Sequence, residues 1–221
     1  MNRLAIFDCD GTLVDSGATI HRALGAAFAA HGLECPSRSV AQKVIGLSLD
    51  QAMAALVPDA DHAALSRTYK DAFFAMRGAG EVHEPLYDGI VELIDQLDGA
   101  GWRLGVATGK SNRGLNHVLA AHGLTNRFVT LQTAERHPSK PHPAMALAAM
   151  AEAGAAPETT VFLGDTGWDM GCARNAGCGA IGAAWGYHDH GELLAAGANY
   201  VAEHPADVAA FAEQWSGPAN D

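Results

Sequence analysis

Five short stretches of the chain are continuously apolar rather than alternating: 4–7, 104–107, 128–131, 161–163 and, more weakly, 180–183. Alternation marks a strand with one wet face, whereas an unbroken run suits a strand buried on both faces of a parallel sheet. Helical patterns lie between the runs. Ile90, Leu93, Ile94 and Leu97 share one face, with Gly99 and Gly101 marking the end. Leu115, Val118 and Leu119 do the same, with Ser111 as N-cap and Gly123 as stop. Pro143 suits the first turn of a helix reaching about residue 153. From about residue 85 onward, strand and helix therefore alternate. The pattern predicts a Rossmann-like α/β core, a parallel sheet with helices on both faces and right-handed crossovers.

Residues 17–82 follow another rule. Ile20, Ala23, Leu24, Ala27 and Phe28 sit at i, i+3, i+4, i+7 and i+8, the spacing of an amphipathic helix. Further helices are expected over 40–45, 49–56 and 63–76, with no strand among them. The expected organisation is an α/β core formed by 1–16 and 83–221, interrupted by a helical insertion at 17–82. The last six residues, SGPAND, read as a frayed tail.

Composition narrows the possible partners. Of 221 residues, 48% are apolar and 18% charged, which suits a globular domain. No apolar run approaches the roughly 20 residues needed to span a bilayer, and the N-terminal run is too short for a signal peptide. The four cysteines, Cys9, Cys35, Cys172 and Cys178, form no CxxC pair, so a reducing cytoplasm is expected. A net charge of −11 opposes nucleic acid and anionic membrane surfaces as partners. The sequence leaves oligomeric state open.

In an open parallel sheet, ligands bind beyond the carboxyl ends of the strands. That rule gathers four distant polar clusters. Asp8 and Asp10 follow the first run, in AIFDCDGTLVDS; Thr108, Gly109 and Lys110 follow the second; Lys140 lies in the loop after the third; Asp165, Thr166 and Asp169 follow the fourth. Asp8, Asp10 and Asp165 brought together repel by roughly 4 kcal/mol per pair at 4 Å. A hard divalent cation relieves this, and an all-oxygen site favours Mg²⁺. Lys140, the Thr108 hydroxyl and the Gly109 N–H supply the positive side, which suits a phosphoryl group.

Single residues have plainer readings. Asp15 and Ser16 are read as caps of the first insertion helix, outside the site. Lys110 is read as structural or peripheral, Cys9 as a small core residue, and the His188/His190 pair as surface loop rather than metal ligands. His137 and His142 are read as neighbours of the site. Among the insertion's cations, Arg22, Lys43, Arg67 and Lys70 are read mostly as a solvated face.

The four clusters, in this order, resemble the motifs of the haloacid dehalogenase-like hydrolase superfamily, in its phosphoglycolate phosphatase-like branch. DCDGTLVDS is similar to its first motif, ATGK to its second, SKPHP to its third and GDTGWD to its fourth. The helical insertion falls where the family carries a mobile cap. The resemblance implies a Mg²⁺-dependent phosphomonoesterase acting on a small phosphorylated metabolite, with 2-phosphoglycolate expected. It implies Asp8 as nucleophile, forming an aspartyl phosphate, and Asp10 as general acid and then base. It further implies Mg²⁺ held by Asp8, the Asp10 carbonyl and Asp165, supported by Asp169, with Thr108, Gly109 and Lys140 on the phosphoryl group. Hinges are expected near 16–18 and 82–84.

Three other readings compete. Dehalogenases lack the second aspartate, so Asp10 argues against that reaction. A β-phosphoglucomutase-like mutase would carry a cap arginine where this chain has Leu49 and a cap histidine where it has Ile20. A non-catalytic phosphometabolite-binding or regulatory protein would not need Asp10.

Overall fold

The computed structural model of the chain describes residues 1–215; the expected tail at 216–221 lies outside them. Six parallel strands form one sheet in the order β3-β2-β1-β4-β5-β6. These are β1 (Asn2–Phe7), β2 (Trp102–Thr108), β3 (Thr130–Thr133), β4 (Ala155–Gly164), β5 (Gly179–Ala183) and β6 (Tyr200–Ala202). The chain builds outward from β1 to β3, then returns to the other side of β1 to place β4. Strand order thus reverses between β1 and β4. In register, Phe7 stands opposite Val106 on β2 and Leu163 on β4, so the three strands end at nearly one level.

The continuous apolar runs are explained by burial on both faces. Ala5 and Phe7 point into one cluster with Leu104, Val106, Val161 and Leu163. That cluster is closed by α5 (Ile90–Gly99), α6 (Asn112–Ala121) and α10 (Val208–Gln214). Leu4 and Ile6 point into the other, with Phe162 and Ala180, under α7 (Ala144–Ala153), α8 (Gly167–Ala176) and α9 (His190–Ala195). Ser111 caps α6 as expected, its hydroxyl accepting from the Gly114 N–H at 3.1 Å. Two strand readings need correction. The third strand begins two residues later than its apolar run, because Thr130, Gln132 and Thr133 are buried polar residues. Gln132 donates to the Thr130 hydroxyl, Thr130 to Glu152, and Thr133 to the Asn112 side-chain oxygen. The sequence pattern misses strand β6 because it is a three-residue strand, YVA, at the sheet edge.

Residues 17–78 form α1 (Gly17–Ala30), α2 (Arg38–Gln42), α3 (Leu49–Leu56) and α4 (His62–Gly78). Leu24, Phe28, Ala41, Met53 and Leu65 make a separate apolar cluster within them. No described helix is long and apolar enough to cross a membrane.

Candidate active site

The strand ends at the reversal of order bring together Asp8, Asp165, Asp169 and Lys140. Asp8 follows β1 directly and its N–H donates to the Leu163 carbonyl at 2.9 Å, which seats it beside β4. Asp165 follows β4. Asp8, Asp165 and Asp169 are all fully buried, and each offers a carboxylate oxygen within 4.8 Å of the others'. Lys140 is also fully buried. Its ammonium lies 2.5 Å from Asp169 Oδ1 and 3.0 Å from Asp8 Oδ1, and donates weakly to the Ala107 carbonyl at 3.4 Å. Ala107 precedes Thr108, so this contact ties Lys140 to the end of β2.

Each carboxylate is held differently. Asp169 sits at the third position of α8 in a capping box, its Oδ2 accepting from the Thr166 N–H and hydroxyl. With Lys140 on Oδ1, both of its oxygens are engaged. Asp165 accepts from the Thr12 hydroxyl on Oδ1 (3.0 Å) and from the Tyr187 N–H on Oδ2 (2.9 Å). Gly11 makes that contact possible: at φ +88°, a Cβ there would lie 2.1 Å from Asp165 Oδ2. Asp8 is the exception, with no hydrogen bond to either carboxylate oxygen among the described residues.

The electrostatics follow from burial. Desolvation pushes the Asp8 carboxyl up to about 7; Lys140 opposes this, while Asp169 and Asp10 add to it. Asp165 is likewise raised well above the usual carboxylate range, by burial first and then by Asp169 and Asp8. Burial pulls Lys140 down, but Asp169 and Asp8 outweigh it and keep the ammonium charged. Two of the three buried carboxylates, Asp8 and Asp169, therefore share the Lys140 ammonium, Asp165 has no cation partner among the described residues, and neither oxygen of Asp8 accepts a hydrogen bond among them. A hard divalent cation answers both deficits, so the residues fit Mg²⁺.

Asp10 stands apart from this cluster. Its Oδ1 accepts from Ser16 Oγ at 2.5 Å and from Lys110 Nζ at 2.6 Å, leaving Oδ2 without a partner among the described residues. Two sequence readings are corrected here. Ser16 does stand at the N-cap of α1, but its side chain makes no capping bond and turns to Asp10 instead. Lys110 is not peripheral: its ammonium bridges Asp10 and Glu84, at 2.6 and 2.9 Å. Asp15 does cap, accepting from the Gly17 N–H, and also receives the Tyr187 hydroxyl.

Thr108 is buried at the end of β2, where its hydroxyl accepts the Lys110 N–H. Gly109 meets the helical segment. A Cβ on it would lie 2.3 Å from the Leu47 carbonyl oxygen and 2.9 Å from that of Gly46. Three further contacts hold the same loop. The Ser48 N–H donates to Ser139 Oγ, the Trp168 indole N–H to the Lys43 carbonyl, and the Lys43 ammonium to Glu192.

The histidines do not converge on the site. His188 accepts from the Gly167 N–H, and His190 pairs with Glu203. His137 bonds to Gln132, and His142 accepts from the Ala144 N–H at the start of α7. Cys9 is buried, and all four thiols are free. The residues that sequence reasoning missed are Thr12, Glu84 and Tyr187. Thr12 belongs to the DGT stretch already singled out. Nothing local marks Glu84 or Tyr187, which reach the site only through the fold.

The sequence pattern of the haloacid dehalogenase-like hydrolases matches residues 5–183, and the chain belongs to that family. It is an enzyme, a phosphatase of that family. The chain is 37% identical to the probable phosphatase IndB of Dickeya dadantii over 202 residues, covering 89% of this chain and 87% of that one. It is 32% identical to the phosphoglycolate phosphatase of Xylella fastidiosa (strain 9a5c), covering 85% and 82%. Among solved structures, a hydrolase from Pseudomonas syringae superposes with a TM-score of 0.84 at 27% identity, covering 96% and 99%.

Proposed function

We propose that the chain is a Mg²⁺-dependent phosphomonoester hydrolase that acts on a small phosphorylated metabolite through an aspartyl phosphate on Asp8. The observation that carries this reading is the Asp8 carboxylate: buried, ion-paired through Oδ1 with the Lys140 ammonium at 3.0 Å, and with Oδ2 free of any partner among the described residues. An ionised carboxylate aimed at bound phosphorus is a competent nucleophile, and its acyl phosphate is readily hydrolysed.

Asp8, Asp165 and the Asp10 carbonyl hold the metal in this reading, with Asp169 in support. The metal's contribution is to neutralise charge on the phosphoryl oxygens. Lys140 offsets charge on Asp8 and, with Thr108 and the Gly109 N–H, binds the transferring group. Asp10 presents the unpartnered Oδ2, which gives a proton to the leaving alkoxide and later takes one from the attacking water. Ser16 and Lys110 hold Oδ1 and so orient that carboxyl.

The helices of 17–82 act as a cap that closes on the strand ends and limits water, swinging on 16–18 and 82–84. Ile20 and Leu49 line the space beneath it, and His21 is turned away to the Pro36 carbonyl. Neither position supplies the polar groups a phosphomutase needs, which favours hydrolysis. The four free thiols favour a cytoplasmic setting.

The test is phosphate release from an aryl phosphate with and without Mg²⁺. Release is expected only with the metal, and Asp8→Asn is expected to lower it by on the order of 10⁴-fold or more. An Asp8→Asn protein with the full rate removes the mechanism.

A further inference from the structure

Between the helical segment and the α/β layer lies a cavity of about 480 Å³ that opens onto Asp10 and Gly109. This lies within the ~300–1,000 Å³ typical of sites for drug-sized ligands and far exceeds the needs of a two-carbon phosphoester. Its walls include Leu24, Val44, Leu47, Leu49, Leu56 and Phe73. Half of it is thus built by side chains with nothing to offer a carboxylate.

The cations on its surface are committed or exposed. Lys110, beside Asp10, is held between Asp10 and Glu84, and Arg77 lies 3.2 Å from Glu84. Arg113 lies over the Phe74 ring at 4.4 Å, both residues being exposed at the rim, and Lys70 is exposed too. The wall's acids are also engaged: Asp50 accepts from the Ser66 hydroxyl, and Glu135 from the Asn112 side chain. Among the described residues, the interior next to Asp10 therefore has no free cation for a second anionic group, while its apolar surface is large. A carboxylate drawn there would lose its water without gaining a partner. An apolar or aromatic body would gain by leaving water, and Tyr69, whose hydroxyl has no partner among the described residues, offers it one polar contact.

We infer that the alcohol half of the substrate is an apolar, ring-bearing body seated in this cavity, so the enzyme prefers such a phosphomonoester to 2-phosphoglycolate. The inference rests on the phosphatase reading above and deepens it.

Three primary-alkyl phosphates with comparable leaving groups test it: 3-phenylpropyl phosphate, ethyl phosphate and 2-phosphoglycolate, each assayed for Mg²⁺-dependent phosphate release. The kcat/KM for 3-phenylpropyl phosphate is expected to exceed that of each of the others by about tenfold or more. Ala52→Phe, which narrows the cavity from α3, is expected to bring the 3-phenylpropyl to ethyl ratio toward one. Leu49→Lys, on the same wall, is expected to raise 2-phosphoglycolate relative to 3-phenylpropyl phosphate, and serves if the first variant folds poorly. Hydrolysis of ethyl phosphate with a ratio near one, or with 2-phosphoglycolate the best of the three, overturns the cavity assignment and leaves the phosphatase standing. No release from any of the three overturns the cavity assignment, and release from the aryl phosphate then decides the phosphatase mechanism separately.

Discussion

The strand-end cluster and the helical segment above it are built on opposite terms. Around Asp8, buried charges crowd together, and both carboxylate oxygens of Asp165 and of Asp169 are engaged by partners. Across the seam, the wall is mostly leucine, isoleucine, valine and aromatic, and a large volume is left unfilled. The first region tolerates almost no substitution because a charge left alone in a low-dielectric interior is costly. The second is bounded by contacts that any apolar side chain of similar size could make. On the proposed reading, chemistry is concentrated where buried charges are paired, and selection of substrate where the wall is apolar.

Three substitutions sharpen that contrast. The largest effect belongs to Lys140→Met. It leaves Asp8 and Asp169 buried without their shared cation, at a cost of about 3–5 kcal/mol of stability by denaturant unfolding. Phosphate release is expected to fall along with it. A variant as stable as the parent would mean that the cluster's charges are balanced by something other than Lys140.

Gly109→Ala comes next and acts on the seam. The added Cβ would fall within 2.3 Å of the Leu47 backbone oxygen, so the 46–48 loop must move away from the strand ends. A displacement on the order of 1 Å can cost about 10²-fold in kcat/KM. Little change in unfolding midpoint is expected, because neither apolar core is touched. Unchanged kinetics would show that the loop's approach to Gly109 has no part in turnover.

Lys43→Ala is expected to do least. Its partner Glu192 lies across the same seam, but the side chains are 46% and 38% exposed, and such pairs contribute at most about 1 kcal/mol. Phosphate release within twofold of the parent is the expected result. A large loss would move this ion pair from the periphery to the closing of the seam.

Several parts of this molecule are legible in one dimension because their cause is local. A strand buried on both faces must be apolar throughout, so 4–7, 104–107 and 161–163 announce themselves. The Asp8, Asp165 and Lys140 positions follow, because each sits directly after a strand or in the loop beyond one. Burial of the polar residues in β3 hid its true start, and the edge strand β6 is too short to carry a pattern. Ser16 shows the limit most clearly. A serine before a helix reads as a cap, yet its hydroxyl turns to Asp10, six residues away. Lys110 reads as structural or peripheral in sequence, and only the fold sets it between Asp10 and Glu84.

What the residues determined by themselves was the alternation of strand and helix, the helical stretch that interrupts it after β1, and which polar residues follow the strands. These depend on periodicity and on position after a strand, which are properties of neighbouring residues. Only the tertiary structure decided which oxygen of each carboxylate is engaged, that the Asp8 carboxylate accepts no hydrogen bond among the described residues, and how much apolar space lies beside Asp10. Those are properties of groups far apart in the chain. Their energies depend on distance and on exclusion of water, neither of which exists until the sheet and the helices above it have closed together.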